Sequence, residues 1–114
     1  MLATVYKIKT HKEIEEVKSK GKIFQSTNFG VVVLKRQNQE KPRFVFIIST
    51  KISKLSVHRN RISRALNEGA RRYITQIPGN FDFVFLTKKS IERKLSEEII
   101  GEVEHFFLKK EFLK

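Results

Sequence analysis

Two stretches of this chain alternate at the period of a β-strand and yet are apolar on both parities. In the first, Phe29, Val31 and Val33 alternate with Gly30, Val32 and Leu34. In the second, Phe44, Phe46 and Ile48 alternate with Val45 and Ile47. Successive strand residues point to opposite faces, so strands of this kind need cover, at least in part, on both sides. A third stretch, Phe81, Phe83 and Phe85 alternating with Asp82, Val84 and Leu86, reads as a further strand whose phenylalanines share one face and belong to a core. The polar segment Arg36–Pro42 reads as a hairpin loop between the first two. A short strand near Lys22–Gln25 precedes them.

The helices supply the cover. Thr10 and Glu13 have capping-box spacing, Ile14 and Val17 share a helical face, and Gly21 stands where a C-cap belongs. A first helix over roughly His11–Lys20 follows. Ser56 is the expected N-cap of a second, along which Ile62, Leu66, Ala70, Tyr73 and Ile77 fall within a sector of about 80°. Arg61, Arg64, Arg71 and Arg72 fall in a separate sector of about 100° on the far side. Pro78-Gly79 is expected to end that helix. A last helix over roughly Leu95–Lys110 buries Ile99, Val103, Phe106 and Phe107. Its acids come early and its bases, Lys109 and Lys110, late, as the helix dipole favours. The order α-β-β-β-α-β-α predicts an α+β sandwich.

A chain of 114 residues makes one domain, 1–114, large enough to fold without staples, and it has no cysteine for a disulfide or thiolate site. No apolar run approaches the ~20 residues of a membrane-spanning helix, and Met1–Thr10 has no signal-peptide core. We expect a cytoplasmic protein with no membrane partner. Its charge is another matter. Lys and Arg number 24 against 12 acids, a net +12, which calls for a polyanionic partner.

Half of that excess lies in a fifth of the chain. Between Lys51 and Arg72 stand seven bases, Lys51, Lys54, Arg59, Arg61, Arg64, Arg71 and Arg72, and one acid, Glu68. Five of the seven are arginine, whose planar fork meets phosphate oxygens in pairs and stacks on bases. A merely solvated face mixes signs, as the last helix does. His58 beside Arg59 joins the candidate nucleic-acid contacts, as does Asn60, which either bonds the nucleic acid or caps the helix start. His11 and His105 read as surface residues.

Ser49-Thr50-Lys51, seven residues, then Arg59-Asn60-Arg61-Ile62-Ser63-Arg64, with Arg43 at the start of the preceding strand, resembles the bacterial ribonuclease P protein component. The resemblance covers essentially the whole chain in length, element order and charge. It implies a protein subunit that binds a large catalytic RNA and the 5′ leader of precursor tRNA and assists endonucleolytic removal of the leader. The RNA performs the hydrolysis with magnesium, and the protein alone binds no cofactor. It also implies that the Arg-Asn-Arg helix faces the RNA, that the leader lies in a cleft between the first helix and the sheet, and that a left-handed βαβ crossover flanks the basic helix, against the usual hand.

The chain departs from the pattern at several positions. Thr50 and Ser53 stand where a lysine and a glycine are usual, Ile14 and Lys18 where relatives present phenylalanines to the cleft, and Val32 where an aromatic is frequent. Base stacking on aromatics contributes about 1–3 kcal/mol per base, so the leader here is expected to be held more by shape and charge. Phe29 and Phe46 are the candidate replacements for the missing rings.

No catalytic or metal-binding set is expected in the chain itself. Most acids read as helix-face charges, the three histidines are dispersed, and the five glycines form no phosphate loop. The alternative function is a ribosomal or other structured-RNA-binding protein without a role in tRNA processing. A helix-turn-helix DNA binder is disfavoured because the basic helix lies between strands with no scaffold helix close before it. A peripheral membrane protein is disfavoured because the apolar face of that helix is committed to the sheet.

Overall fold

The computed structural model describes residues 2–37 and 39–109. Its elements are α1 (His11–Lys20), β1 (Lys22–Gln25), β2 (Phe29–Lys35), β3 (Arg43–Ile47), α2 (Ser56–Tyr73), β4 (Phe81–Thr87) and α3 (Ser96–Lys109), with short 3-10 turns at Thr4–Tyr6, Ile74–Gln76 and Lys89–Arg93. The α-β-β-β-α-β-α order therefore holds, including the short first strand. The expected helix end at Lys110 lies outside the described residues.

The four strands lie in the order β1-β2-β4-β3. β1 and β2 are antiparallel, β2 and β4 are antiparallel, and β3 runs parallel to β4. The reading of Arg36–Pro42 as a hairpin loop is thus wrong, because β4 is inserted between β2 and β3. The polar segment instead passes over the turn that enters β4. There the Arg36 amide donates to the Asn80 carbonyl (2.6 Å) and the Gln39 amide group to the carbonyls of Gly79 and Phe81. A Cβ on Gly79 would stand 2.0 Å from the Glu40 carbonyl oxygen, so this crossing needs the glycine. β3 and β4, adjacent and parallel, are joined through α2, the βαβ unit that parallel pairing requires.

Both faces of the sheet are covered, as its two-sided apolar strands require. On one face α2 and α3 pack over Phe29, Val31, Val33, Phe44, Phe83 and Phe85, together with Ile62, Leu66, Ile99, Val103, Phe106 and Phe107. The helices approach closely at Gly69, where a Cβ would stand 2.8 Å from that of Val103. On the other face the short α1 lays Val17 and Ile14 on Val32, Val84, Val45 and Ile47. Thr10 caps α1 by accepting from the Glu13 amide (3.1 Å). Gly21 follows as its C-cap with an extended backbone rather than the left-handed turn, and a side chain there would meet the Val17 and Val33 carbonyls.

Two helix boundaries differ from expectation. Ser56 is the first residue of α2, not its cap; Leu55 holds that place without a side-chain cap, and the Leu55 amide is satisfied by the Ser53 hydroxyl (3.3 Å). At the other end α2 stops at Tyr73, before Pro78, and tightens into the 3-10 turn Ile74–Gln76. Ile77, counted on the helical stripe, is buried from beyond the helix.

Asp82 was expected among the alternating residues of a strand and is instead the centre of a buried ion network on the α1 face. It is fully inaccessible to solvent. Its Oδ1 accepts from Arg43 Nε (2.9 Å) and Gln39 Nε2 (3.1 Å), its Oδ2 from Arg36 Nε (2.9 Å) and Arg43 Nη2 (2.7 Å). The two arginines reach on to α1: Arg43 to Glu13 (2.9 Å) and Arg36 to Glu16 (2.5 Å). With Val17 as its sole fully buried apolar residue, α1 is fastened to the sheet largely by these pairs. Burial pushes the Asp82 carboxyl up, but the hydrogen bonds from Arg43, Arg36 and Gln39 together outweigh it and hold the pKa below the ordinary carboxylate value.

Candidate RNA-binding surface

The loop that leaves β3 is held from beneath. Ile52 and Ser53 are buried, the Ile52 amide donates to the Ser49 carbonyl (3.0 Å), and Lys89 Nζ donates to the Ile52 carbonyl (2.8 Å). With the loop pinned through its two middle residues, Lys51 and Lys54 on either side stand in solvent. α2 begins immediately after, with no acid in its first turn and no side-chain cap. Its first amide groups and the positive end of its dipole are left for an anion.

The candidate contacts then divide into three kinds. Lys51, Lys54, Asn60 and Arg64 are exposed, and no side-chain partner engages them among the described residues. His58 is exposed on the same turn, with Nδ1 3.4 Å from the Ser53 hydroxyl. Leu55 and Val57, both more than half exposed, stand between these polar groups and add an apolar surface that the helical stripe gave no reason to expect there.

Arg59 and Arg61 are half-buried and bonded to backbone. Arg59 lies one turn before Ile62 on the core-facing side of α2, so its side chain folds back and Nη1 donates to the Ser53 carbonyl (2.7 Å), bracing the loop. Arg61 reaches across to the 3-10 turn after β4, with Nη1 donating to the Lys94 carbonyl (2.8 Å) and Nη2 to the Glu92 carbonyl (3.2 Å). The Arg-Asn-Arg segment is therefore one outward side chain, Asn60, between two arginines that tie the helix start to its surroundings.

Arg71 and Arg72 form the third kind. Both are held by Glu68, Arg71 at 2.7 Å and Arg72 at 3.0 Å. Hydrogen bonds from Arg71 and then Arg72 hold the Glu68 carboxyl down to about 2. The expected uniform arginine stripe is thus divided: Arg64 projects alone, Arg61 is a staple, and the last two share one carboxylate.

The cleft face is corrected as well. Phe29 and Phe46 do not face α1. By strand parity they lie with Phe85 and Phe44 on the α2–α3 side, Phe29 fully buried 5.3 Å from the Phe85 ring and Phe46 4.9 Å from it. The surface beside α1 is lined by Ile14 and by the half-buried Val45, Ile47 and Leu86. Lys18 stands on the α1 side, exposed, 3.6 Å from Glu15. The cleft is aliphatic because every aromatic strand residue takes the opposite parity. Among the described residues no three His, Cys, Asp or Glu side chains gather as a metal site, and no helix is long and apolar enough to cross a membrane.

Comparison with known proteins agrees with this architecture. A family profile described as Ribonuclease P matches residues 2–111. The Ribonuclease P protein component of Clostridium kluyveri is 32% identical over 107 residues, covering 92% of this chain and 94% of the relative. That of Exiguobacterium sibiricum is 26% identical over 102 residues, covering 90% and 87%. Among solved structures, the Staphylococcus aureus RNase P protein superposes with a TM-score of 0.87 at 20% identity, over 96% of this chain and 98% of the other. The Thermotoga maritima RNase P protein superposes with a TM-score of 0.78 at 20% identity, over 90% and 96%. With its fold and nearly its whole length matched, the chain belongs to the ribonuclease P protein family.

Proposed function

We propose that this chain, a ribonuclease P protein component, binds the catalytic RNA of that enzyme and the leader of precursor tRNA, and so assists 5′ maturation of tRNA without carrying the hydrolytic chemistry itself. The observation that carries the reading is the exposed set Lys51, Lys54, Asn60 and Arg64 around the acid-free start of α2. Fixed phosphates would meet a rigid surface there, because Ile52, Ser53, Arg59 and Arg61 anchor the loop and the helix from below. Arg59 and Arg61 then act on RNA in part by shaping that surface.

The leader, on this reading, crosses the aliphatic face beside α1, with Lys18 at its edge and no ring to stack on. Magnesium, on this reading, is held by the RNA; the carboxylates of Glu13, Glu16 and Asp82 are engaged by Arg36 and Arg43. The compartment is the cytoplasm. Added to the catalytic RNA at low magnesium, the purified protein is expected to raise precursor-tRNA cleavage. Binding of the folded RNA with no stimulation would instead establish the alternative, a structured-RNA-binding protein outside tRNA processing.

A further inference from the structure

A second cationic groove lies at the other end of the sheet. α2 and α3 do not cover the helix-side face completely. In register, Lys22 lies opposite Val33, Phe24 opposite Val31, and Lys35 opposite Phe81, so Lys22, Phe24, Val33, Lys35 and Phe81 all point to that face. With Lys20 at the α1–β1 junction they line an open groove of about 320 Å³. The Lys22 ammonium sits 5.4 Å over the Phe24 ring, and Phe24 and Phe81 are half-buried, each offering part of a ring to solvent. The volume is at the lower end of the ~300–1,000 Å³ of small-ligand sites.

The charge around this groove is unbalanced. Among the described residues no carboxylate pairs with Lys22 or Lys35. Lys20 has Glu16 at 3.5 Å, but that carboxylate is held more closely by Arg36 at 2.5 Å. β4 runs from the groove at Phe81 to Thr87, beside the Lys51–Lys54 loop, about 20 Å of strand.

We infer that this groove is a second nucleic-acid contact, taking a short single-stranded RNA segment with its phosphates on Lys20, Lys22 and Lys35 and a base against Phe24 and Phe81. Lysine paired with partly exposed rings is the combination that single strands use, charge for the backbone and a π-face for the base. Apart from Leu34, the strand residues that line the groove point to the opposite face of the sheet from the proposed leader cleft, and the contact does not depend on that cleft. A different role for the same lysines is to blunt the edge strand β1 against pairing with another chain.

The test is a titration of the 15N-labelled full chain with a single-stranded hexauridylate, using wild type, a Lys22→Ala/Lys35→Ala double variant and a Lys51→Ala/Lys54→Ala/Arg64→Ala triple variant. The groove contact predicts amide shifts at residues 20–24, 33–35 and 81 that persist in the triple variant. The double variant is expected to lose them, to bind several-fold more weakly, and to show a log affinity–log salt slope shallower by about 1.4, two single-strand phosphate contacts. Absence of shifts at the groove in wild type overturns the inference. So does a double variant that self-associates while binding the oligomer as tightly as before, which would make the lysines edge guards. Either failure leaves the cleavage-stimulation experiment untouched, so this inference and the ribonuclease P reading fail separately.

Discussion

Replacing Asp82 by Asn changes one oxygen to an amino group at the point where four donors converge. Arg43 Nε and Nη2, Arg36 Nε and Gln39 Nε2 all lie 2.7–3.1 Å from the carboxylate. The isosteric amide accepts on one atom alone, so the donors aimed at the other meet N–H groups. Two of these bonds are lost, at about 1.5–3 kcal/mol each where a charged group takes part. Breaking a buried ion pair from one side costs about 3–5 kcal/mol. Glu13 and Glu16 remain on the two arginines, which places the cost near the lower figure, about 3 kcal/mol. In a domain whose total stability is about 5–15 kcal/mol, that is a large share. Urea unfolding followed by circular dichroism should show a midpoint lower by about 1–3 M with the slope unchanged. A loss under about 1 kcal/mol would refute the reasoning and show that the outer pairs hold α1 without the buried carboxylate. The same network predicts a pH dependence. Asp82, Glu13 and Glu16 all have folded pKa values below their unfolded ones, Glu13 through Arg43 and Glu16 through Arg36. The unfolded chain therefore binds more protons, and the stabilisation is complete above the unfolded carboxylate values near 4 and is lost as pH falls below them. The acid limb of the unfolding curve should be shallower in Asp82→Asn.

The remaining expectations separate the arginines and the glycines of the basic helix and its neighbour. Arg64→Ala should leave the unfolding curve unchanged while reducing the salt slope of binding to the catalytic RNA by about 0.7–0.9; unaltered RNA binding would remove Arg64 from the interface. Arg61→Ala should in addition cost about 1–3 kcal/mol of stability, because two bonds to the carbonyls of Lys94 and Glu92 go with it; full stability would show that this staple contributes nothing. Glu68→Gln frees Arg71 and Arg72 from their shared carboxylate and should tighten RNA binding and steepen its salt dependence, whereas no change would place both arginines away from RNA. Gly69→Ala pushes a methyl into Val103 and should destabilise by about 1–3 kcal/mol. Gly101→Ala meets nothing within 4 Å on an exposed part of α3 and should stabilise by about 0.5–1 kcal/mol; equal effects in thermal unfolding would show that the α2–α3 approach is not tight.

What local chemistry controls could be read from the chain directly. Thr10 with Glu13 marks the start of α1, the period-two runs mark the strands, and Ile62, Leu66 and Ala70 mark the buried stripe of α2, because caps and periodicities act between residues a few positions apart. The basic stretch and its Arg-Asn-Arg signature were visible for the same reason, and they led to the right family. Strand order was not visible: Arg36–Pro42 has the composition of a hairpin loop, and nothing within it reports that a strand nearly forty residues later enters between β2 and β3. Parity gave two equivalent faces for each strand, so the side taken by Phe29 and Phe46 depended on where α2 and α3 came to rest.

The sequence by itself determined the elements, the need for cover on both sides of the sheet and the sign of the partner's charge, since each depends on residue type and short-range spacing. Only the tertiary structure decided which of those charges remain available. Asp82 became a buried hub when β4 brought it between Arg36 and Arg43, and Arg61 became a staple when the chain after β4 presented two carbonyls to it. A side chain's role is set by the groups that distant segments bring within about 3 Å, and that distance is a property of the fold rather than of the order of residues.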